Sequence, residues 1–264
     1  MYRWIILAFL ALCLALPVHA GSSEAGRPQL PANEVAAFSN RVQQDLAARG
    51  AHVAIVARMG RNPGHLPAGV HYTHVSFWVL SQIKTADGKT GTGYRAYNLY
   101  QQGQNGTRSK LVQDSPADFF AGAYRFDAGI IIPDIRLQKK LLAVINSPTY
   151  AKLHNPRYSV LANPFTSEFQ NCTEHTLDVI MSTIYGTRDI AQIKANEAAY
   201  FKPQVIAIGG VKRALAPVAS QALTTSDHGP VVATATFGSI ARFMKANGLA
   251  SQVYRLTPEA AYRY

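Results

Sequence analysis

The sequence predicts an α+β domain in which a mainly antiparallel sheet packs against helices, one of them opening with a cysteine. Three observations predict it. Short β-branched apolar runs alternate with segments whose apolar residues recur at helical spacing. Two of those runs flank an Asp-Gly pair, the signal of a hairpin turn. A helix-start signature, Asn171-Cys172-Thr173-Glu174, stands before the apolar stripe Leu177, Ile180, Met181 and Ile184.

In chain order, Met1 to Ala20 reads as a secretory leader. Arg3 supplies a positive start, Trp4 to Leu16 is nearly all apolar, and Val18-His19-Ala20 offers the small residues that signal peptidases require. The apolar run is shorter than the roughly 20 residues that span a bilayer. Cleavage is therefore expected after Ala20, leaving Gly21–Tyr264 as one domain with a C-terminal helical and strand extension, in the periplasm or secreted.

Beyond a loose segment from Gly21 to Ala32, Asn33 is the expected cap of a helix over Glu34–Arg49, stopped by Gly50. Strands are expected at His52–Met59, Tyr72–Ile83, Gly93–Gln101 and Asp127–Ile132. A helix at Ile135–Ile145 and a strand at Tyr158–Ala162 follow, then the Cys172 helix, closed by Gly186. A helix at Asp189–Tyr200, a Gly/Ala-rich segment, a strand at Val231–Thr236, a helix at Ser239–Asn247 and a strand at Gln252–Leu256 complete the reading.

The formal net charge is +11. In an exported protein this suits anionic partners such as lipid headgroups or acidic wall polymers, while export argues against nucleic acid. The charges are scattered, as in Arg136, Lys139, Lys140, Lys212 and Arg213, without a dense basic run. Removal of the leader takes Cys13 with it, so Cys172 would be a lone thiol with no internal disulfide partner.

Such a thiol is either inert and buried or reactive. In the first turn of a helix, the unsatisfied backbone N–H groups and the positive dipole end favour the thiolate and can hold an oxyanion. A thiol nucleophile also needs a base. His74, in Tyr72-Thr73-His74-Val75-Ser76-Phe77, stands at the start of a strand and could aim its ring at a facing helix terminus. His175 lies one turn along from Cys172 and approaches the sulfur poorly. Cys172, His175 and His74 could also be zinc ligands, but no fourth ligand stands at a characteristic spacing. Asp227-His228 reads as a polar turn or part of a site rim, and the Asn105-Gly106-Thr107 sequon carries little meaning in a bacterial chain.

A strand with Thr-His-Val, followed later by a helix opening Asn-Cys-x-x-His, resembles the circularly permuted NlpC-type branch of the papain-like superfamily, where histidine precedes cysteine. Lecithin retinol acyltransferase and its relatives have a similar Asn-Cys-Glu-His start; Asn171-Cys172-Thr173-Glu174-His175 is one residue longer. Within that branch the chain most resembles an uncharacterised family of bacterial exported proteins, from His52 through the C-terminal helix. The resemblance implies a permuted papain-like fold, Cys172 as nucleophile, His74 as base and a polar residue on the next strand as orienter. Asn98 and Gln101 are both candidates for the last role, and a one-residue register slip would exchange them.

The expected function is a cysteine-dependent acyl hydrolase or acyltransferase, acting on an amide or ester of the cell envelope through a thioester and needing no metal or organic cofactor. The rival reading is an envelope-binding module on the same fold without turnover.

Overall fold

The computed structural model describes residues 28–84, 88–102 and 106–264. The leader, its cleavage site, Asp87 and Asn105 lie outside the described residues. Helix α1 (Ala32–Ala48) begins after Pro31, so the expected cap Asn33 lies inside it, and it buries Val35, Phe38, Val42 and Leu46 along one stripe. Strands β1 (Val53–Arg58), β2 (His74–Lys84) and β3 (Thr90–Gln101) form an antiparallel meander. Strand β4 (Ser109–Asp114) extends it beyond β3.

A short helix α2 (Pro116–Ala121) follows, its Ser115 and Asp118 closing a capping box. Next come β5 (Ala128–Pro133), α3 (Ile135–Ile145) and α4 (Pro148–Lys152). Helices α5 (Cys172–Tyr185) and α6 (Ile190–Tyr200) lead to β6 (Gln204–Val205) and α7 (Gly210–Ala219). The chain ends with β7 (Ala233–Thr234), α8 (Phe237–Ala246), β8 (Ala250–Leu256) and β9 (Ala261–Arg263).

The large sheet has seven strands in the order β4-β3-β2-β1-β5-β8-β9, every pairing antiparallel. Because side chains alternate along a strand, its two faces feed two cores. Val53, Ile55, Val75, Phe77 and Ile131 meet Leu177, Ile180 and Met181 of α5, with α3 and α8 alongside. Ala54, Val56, Trp78, Ala96 and Ile130 meet Val42 and Leu46 of α1 and Phe119 and Phe120 of α2. The sheet is thus a middle layer, and the coarse expectation of an antiparallel sheet packed by helices matches it.

Two expected strands are corrected. Tyr158–Ala162 forms no ladder: Tyr158 N–H donates to Thr107 O (2.8 Å) in a loop and Val160 N–H to Ala222 O (2.8 Å) in a single 3-10 turn. Pro156 and Pro164 flank the segment and lack the donors that a paired strand uses. Of Val231–Thr236 only β7 pairs, with β6, because Thr236 closes a capping box with Ser239 and starts α8 earlier than expected. The Gly/Ala-rich segment, given no element from sequence, contains α7.

Candidate functional site

Cys172 is the first residue of α5. Asn171 caps it, its side-chain oxygen accepting Glu174 N–H at 2.9 Å while its amide donates to Val160 O at 2.9 Å. The Glu174 side chain does not reach back to close a capping box with Asn171. The Glu174 carboxylate turns inward to Lys194 of α6 (2.8 Å), which also meets Asp178 (2.7 Å) and Glu197 (3.1 Å). All four groups are buried. Burial works against the Lys194 ammonium, but the three carboxylates outweigh it and raise its pKa. Burial also raises Glu174 and Glu197 well above the ordinary carboxylate range. One cation among three acids therefore clamps α6 to the start of the Cys172 helix. Asn171→Ala should lower stability by about 1 kcal/mol, the usual cost of losing an N-cap, measurable by urea unfolding.

His74 and Asn98 are brought together. Their strands pair Ser76 with Asn98, which sets His74 diagonal to Asn98 on the same face, and His74 Nε2 lies 2.9 Å from Asn98 Oδ1. The Asn98 amide donates to Ala96 O (3.1 Å) and Asp114 Oδ2 (3.3 Å). Its oxygen therefore accepts from Nε2–H, and the Nδ1 lone pair of His74 is left buried without a hydrogen bond. The other candidate, Gln101, points to the opposite face and donates to Gly106 O (2.9 Å).

The imidazole stacks on Tyr100 (centroids 4.7 Å apart) and leans on Phe119 (5.5 Å). Burial, followed by the neighbouring Arg58 charge, pushes the His74 pKa well below its ordinary value, so the ring is neutral near pH 7.

With Nε2 held by Asn98 and Nδ1 without a hydrogen-bond partner, the His74 imidazole does not hold the Cys172 sulfur. The thiol packs with Leu99, Tyr158 and Ala222. Leu99 and Tyr100 are consecutive in β3, so the cysteine and the imidazole rest on side chains that leave the strand on opposite faces. Arg58, the last residue of β1, stands between these environments. It is paired across strands with His74, its guanidinium donates to Phe119 O, and its charge acts on both His74 and Cys172. Sequence reasoning passed over Arg58. The signal was a lone cation ending the apolar run Val53-Ala54-Ile55-Val56-Ala57.

Cys172 lines a cavity of about 400 Å³, within the range of small-ligand sites. Its walls are mainly apolar, with Leu66, Val70, Leu161, Ile206 and Leu223, and Arg61 and Lys212 add positive charge. A more open groove of about 810 Å³ lies between α1 and the β2–β3 hairpin, but its walls include polar groups such as Asn40, Gln43 and Gln113 and none of the proposed catalytic residues.

The remaining histidines singled out from sequence are engaged elsewhere. His175 is buried against Tyr150, with Nε2 3.3 Å from Tyr150 O, and burial lowers its pKa to about 4. His228 Nε2 donates to Leu161 O (2.6 Å), and Asp227 accepts Asn163 N–H (2.8 Å), a polar clasp between two loops. Among the described residues no group of three His, Cys, Asp or Glu side chains is arranged to hold a metal ion. None of the described helices is long and apolar enough to cross a membrane.

Neither the curated proteins nor the solved structures include a match to this chain. A family model described as an uncharacterized protein conserved in bacteria, DUF2145, matches residues 45–244, a span that runs from the end of α1 into α8 and includes Arg58, His74, Asn98 and Cys172. The chain belongs to this DUF2145 family of bacterial proteins.

Proposed function

We propose that the protein is an exported cysteine-dependent acyl hydrolase or acyltransferase of the permuted papain-like type, acting on an amide or ester in the cell envelope. The observation that carries this reading is Cys172, in the first turn of α5, facing an apolar cavity large enough for an acyl group. Cys172 is buried at the N-terminal N–H groups of α5 and is close enough to Arg58 for the two to interact electrostatically.

In the proposed reaction the Cys172 sulfur attacks the carbonyl carbon. His74 takes the thiol proton on Nδ1 while Asn98 holds Nε2–H, fixing the tautomer. The tetrahedral oxyanion collapses, the leaving amine or alcohol receives that proton, and a thioester remains. Water or a second acceptor then attacks the thioester, transferring the acyl group and restoring the thiol. Because the two side chains rest on opposite faces of β3, the proton has to pass from Cys172 to His74 around the end of the sheet, where His74 opens β2 and Arg58 closes β1, through a water or a group of the substrate.

The absence of a sulfur–imidazole hydrogen bond favours a second reading, a binding module that holds an acyl or other apolar group in the same cavity without turnover. Labelling by activated acyl probes, read by intact-mass spectrometry, separates the two: an enzyme gains one acyl mass on Cys172, and a binding module gains none.

A further inference from the structure

Helix α7 presents an apolar stripe to solvent. Val211 is 75% exposed, Leu215 58% and Val218 83%, and their spacing puts them on one helix face. Val205, on neighbouring β6, is 57% exposed. The stripe does not reflect a loosely held helix. Arg213 anchors α7 from another side, donating to Thr225 Oγ1 (3.0 Å), Thr225 O (3.2 Å), His228 O (3.1 Å) and Gly229 O (2.8 Å). A third side faces inward, where Lys212 and Ala216 line the Cys172 cavity.

The chain segment that carries the stripe has charges of one sign. From Ala198 to Ser226 the chain contains no Asp or Glu, while Lys202 and Lys212 are exposed; Arg242 of α8 is exposed and reaches Gln204 beside β6 (3.5 Å). The whole chain carries +11.

We propose that this face of α7 docks on an anionic lipid bilayer, with Val211, Leu215 and Val218 entering the headgroup boundary and the exposed cations Lys202 and Arg242 meeting lipid phosphates. The occupant follows from the geometry. An exposed apolar helix stripe in a segment whose charges are all positive fits a fluid anionic surface, and the same helix forms a wall of an apolar cavity, so docking sets that cavity beside the acyl chains. The inference stands whether or not Cys172 turns over.

The test is flotation of the purified protein with vesicles of phosphatidylethanolamine and phosphatidylglycerol, compared with phosphatidylcholine alone. The expected result is binding to the anionic vesicles and weak binding to the neutral ones. The double variant Leu215→Asp, Val218→Asp should bind the anionic vesicles at least about tenfold less, with its thermal midpoint unchanged because both side chains are exposed. Lys202→Glu, an exposed position just ahead of β6, should weaken binding about tenfold as an independent variant. Wild-type protein that floats with neither vesicle overturns the proposal, as does equal binding by wild type and both variants. A wild-type dimer that the Leu215→Asp, Val218→Asp variant converts to monomer also overturns it, since the face would then join two copies of the chain.

Discussion

Lys194→Met is expected to lower stability by about 3–5 kcal/mol, the range found when one partner of a buried ion pair is removed. Methionine fills much of the same volume, so the loss comes from charge. Glu174, Asp178 and Glu197 would share a buried site with no cation, and the clamp between α6 and the start of α5 would be lost. The penalty should depend on pH. Glu174 and Glu197 have pKa values raised above 4.5 in the folded chain, so the folded state binds more protons than the unfolded one as pH climbs past that value. Stability contributed by a raised carboxylate is present in acid and lost as pH rises toward its folded pKa. Removing the cation raises both groups further. Urea unfolding at about pH 5 and about pH 8 should show the Lys194→Met penalty to be smaller at the lower pH. An equal penalty at both would mean that the carboxylates do not titrate together with folding.

Replacing His74 should slow acyl labelling of Cys172 by about 10² to 10⁴, the usual worth of general-base assistance. Two variants are needed because the ring is also part of the core. His74→Ala empties the space between Tyr100 and Phe119 and should cost about 2–4 kcal/mol as well. His74→Gln keeps most of the volume and can still donate to Asn98, yet has no basic nitrogen. It should stay folded and label as slowly as His74→Ala. Folded His74→Gln labelling at the wild-type rate would assign the ring to packing and leave Cys172 without this base.

The sheet was readable because its signals are local. The β-branched runs gave β1, β2, β3 and β5 to within a few residues, and the turn at Gly88, whose φ is +80°, set the hairpin. Strand β4 was missed because Ser109-Lys110-Leu111-Val112-Gln113-Asp114 is a half-buried edge with only two apolar residues. Helix α7 was missed because glycine, alanine and proline dominate its composition, and its anchor is Arg213 reaching a distant loop.

In the site, the helix start at Cys172 and the pairing of His74 with Asn98 follow from cap chemistry and strand register, both written locally. Three features depend on tertiary packing. Glu174 turns to Lys194 instead of its own helix start, Arg58 is buried beside the histidine, and Cys172 packs on the face of β3 opposite the imidazole. The last depends on which face α5 covers, and a single sequence with no ladder partner for α5 does not specify that.

The central claim is that Cys172 is a nucleophile activated by its place in the fold. The direct measurement is the second-order rate at which wild-type protein and Cys172→Ser take up an activated acyl probe near neutral pH, followed by intact mass with thermal midpoints alongside. The account predicts one acyl group on wild type, gained much faster than on a free thiol, and none on a folded Cys172→Ser protein, whose midpoint should fall modestly because the serine hydroxyl is buried with Leu99 and Tyr158. Wild type that labels no faster than folded Cys172→Ser would contradict it.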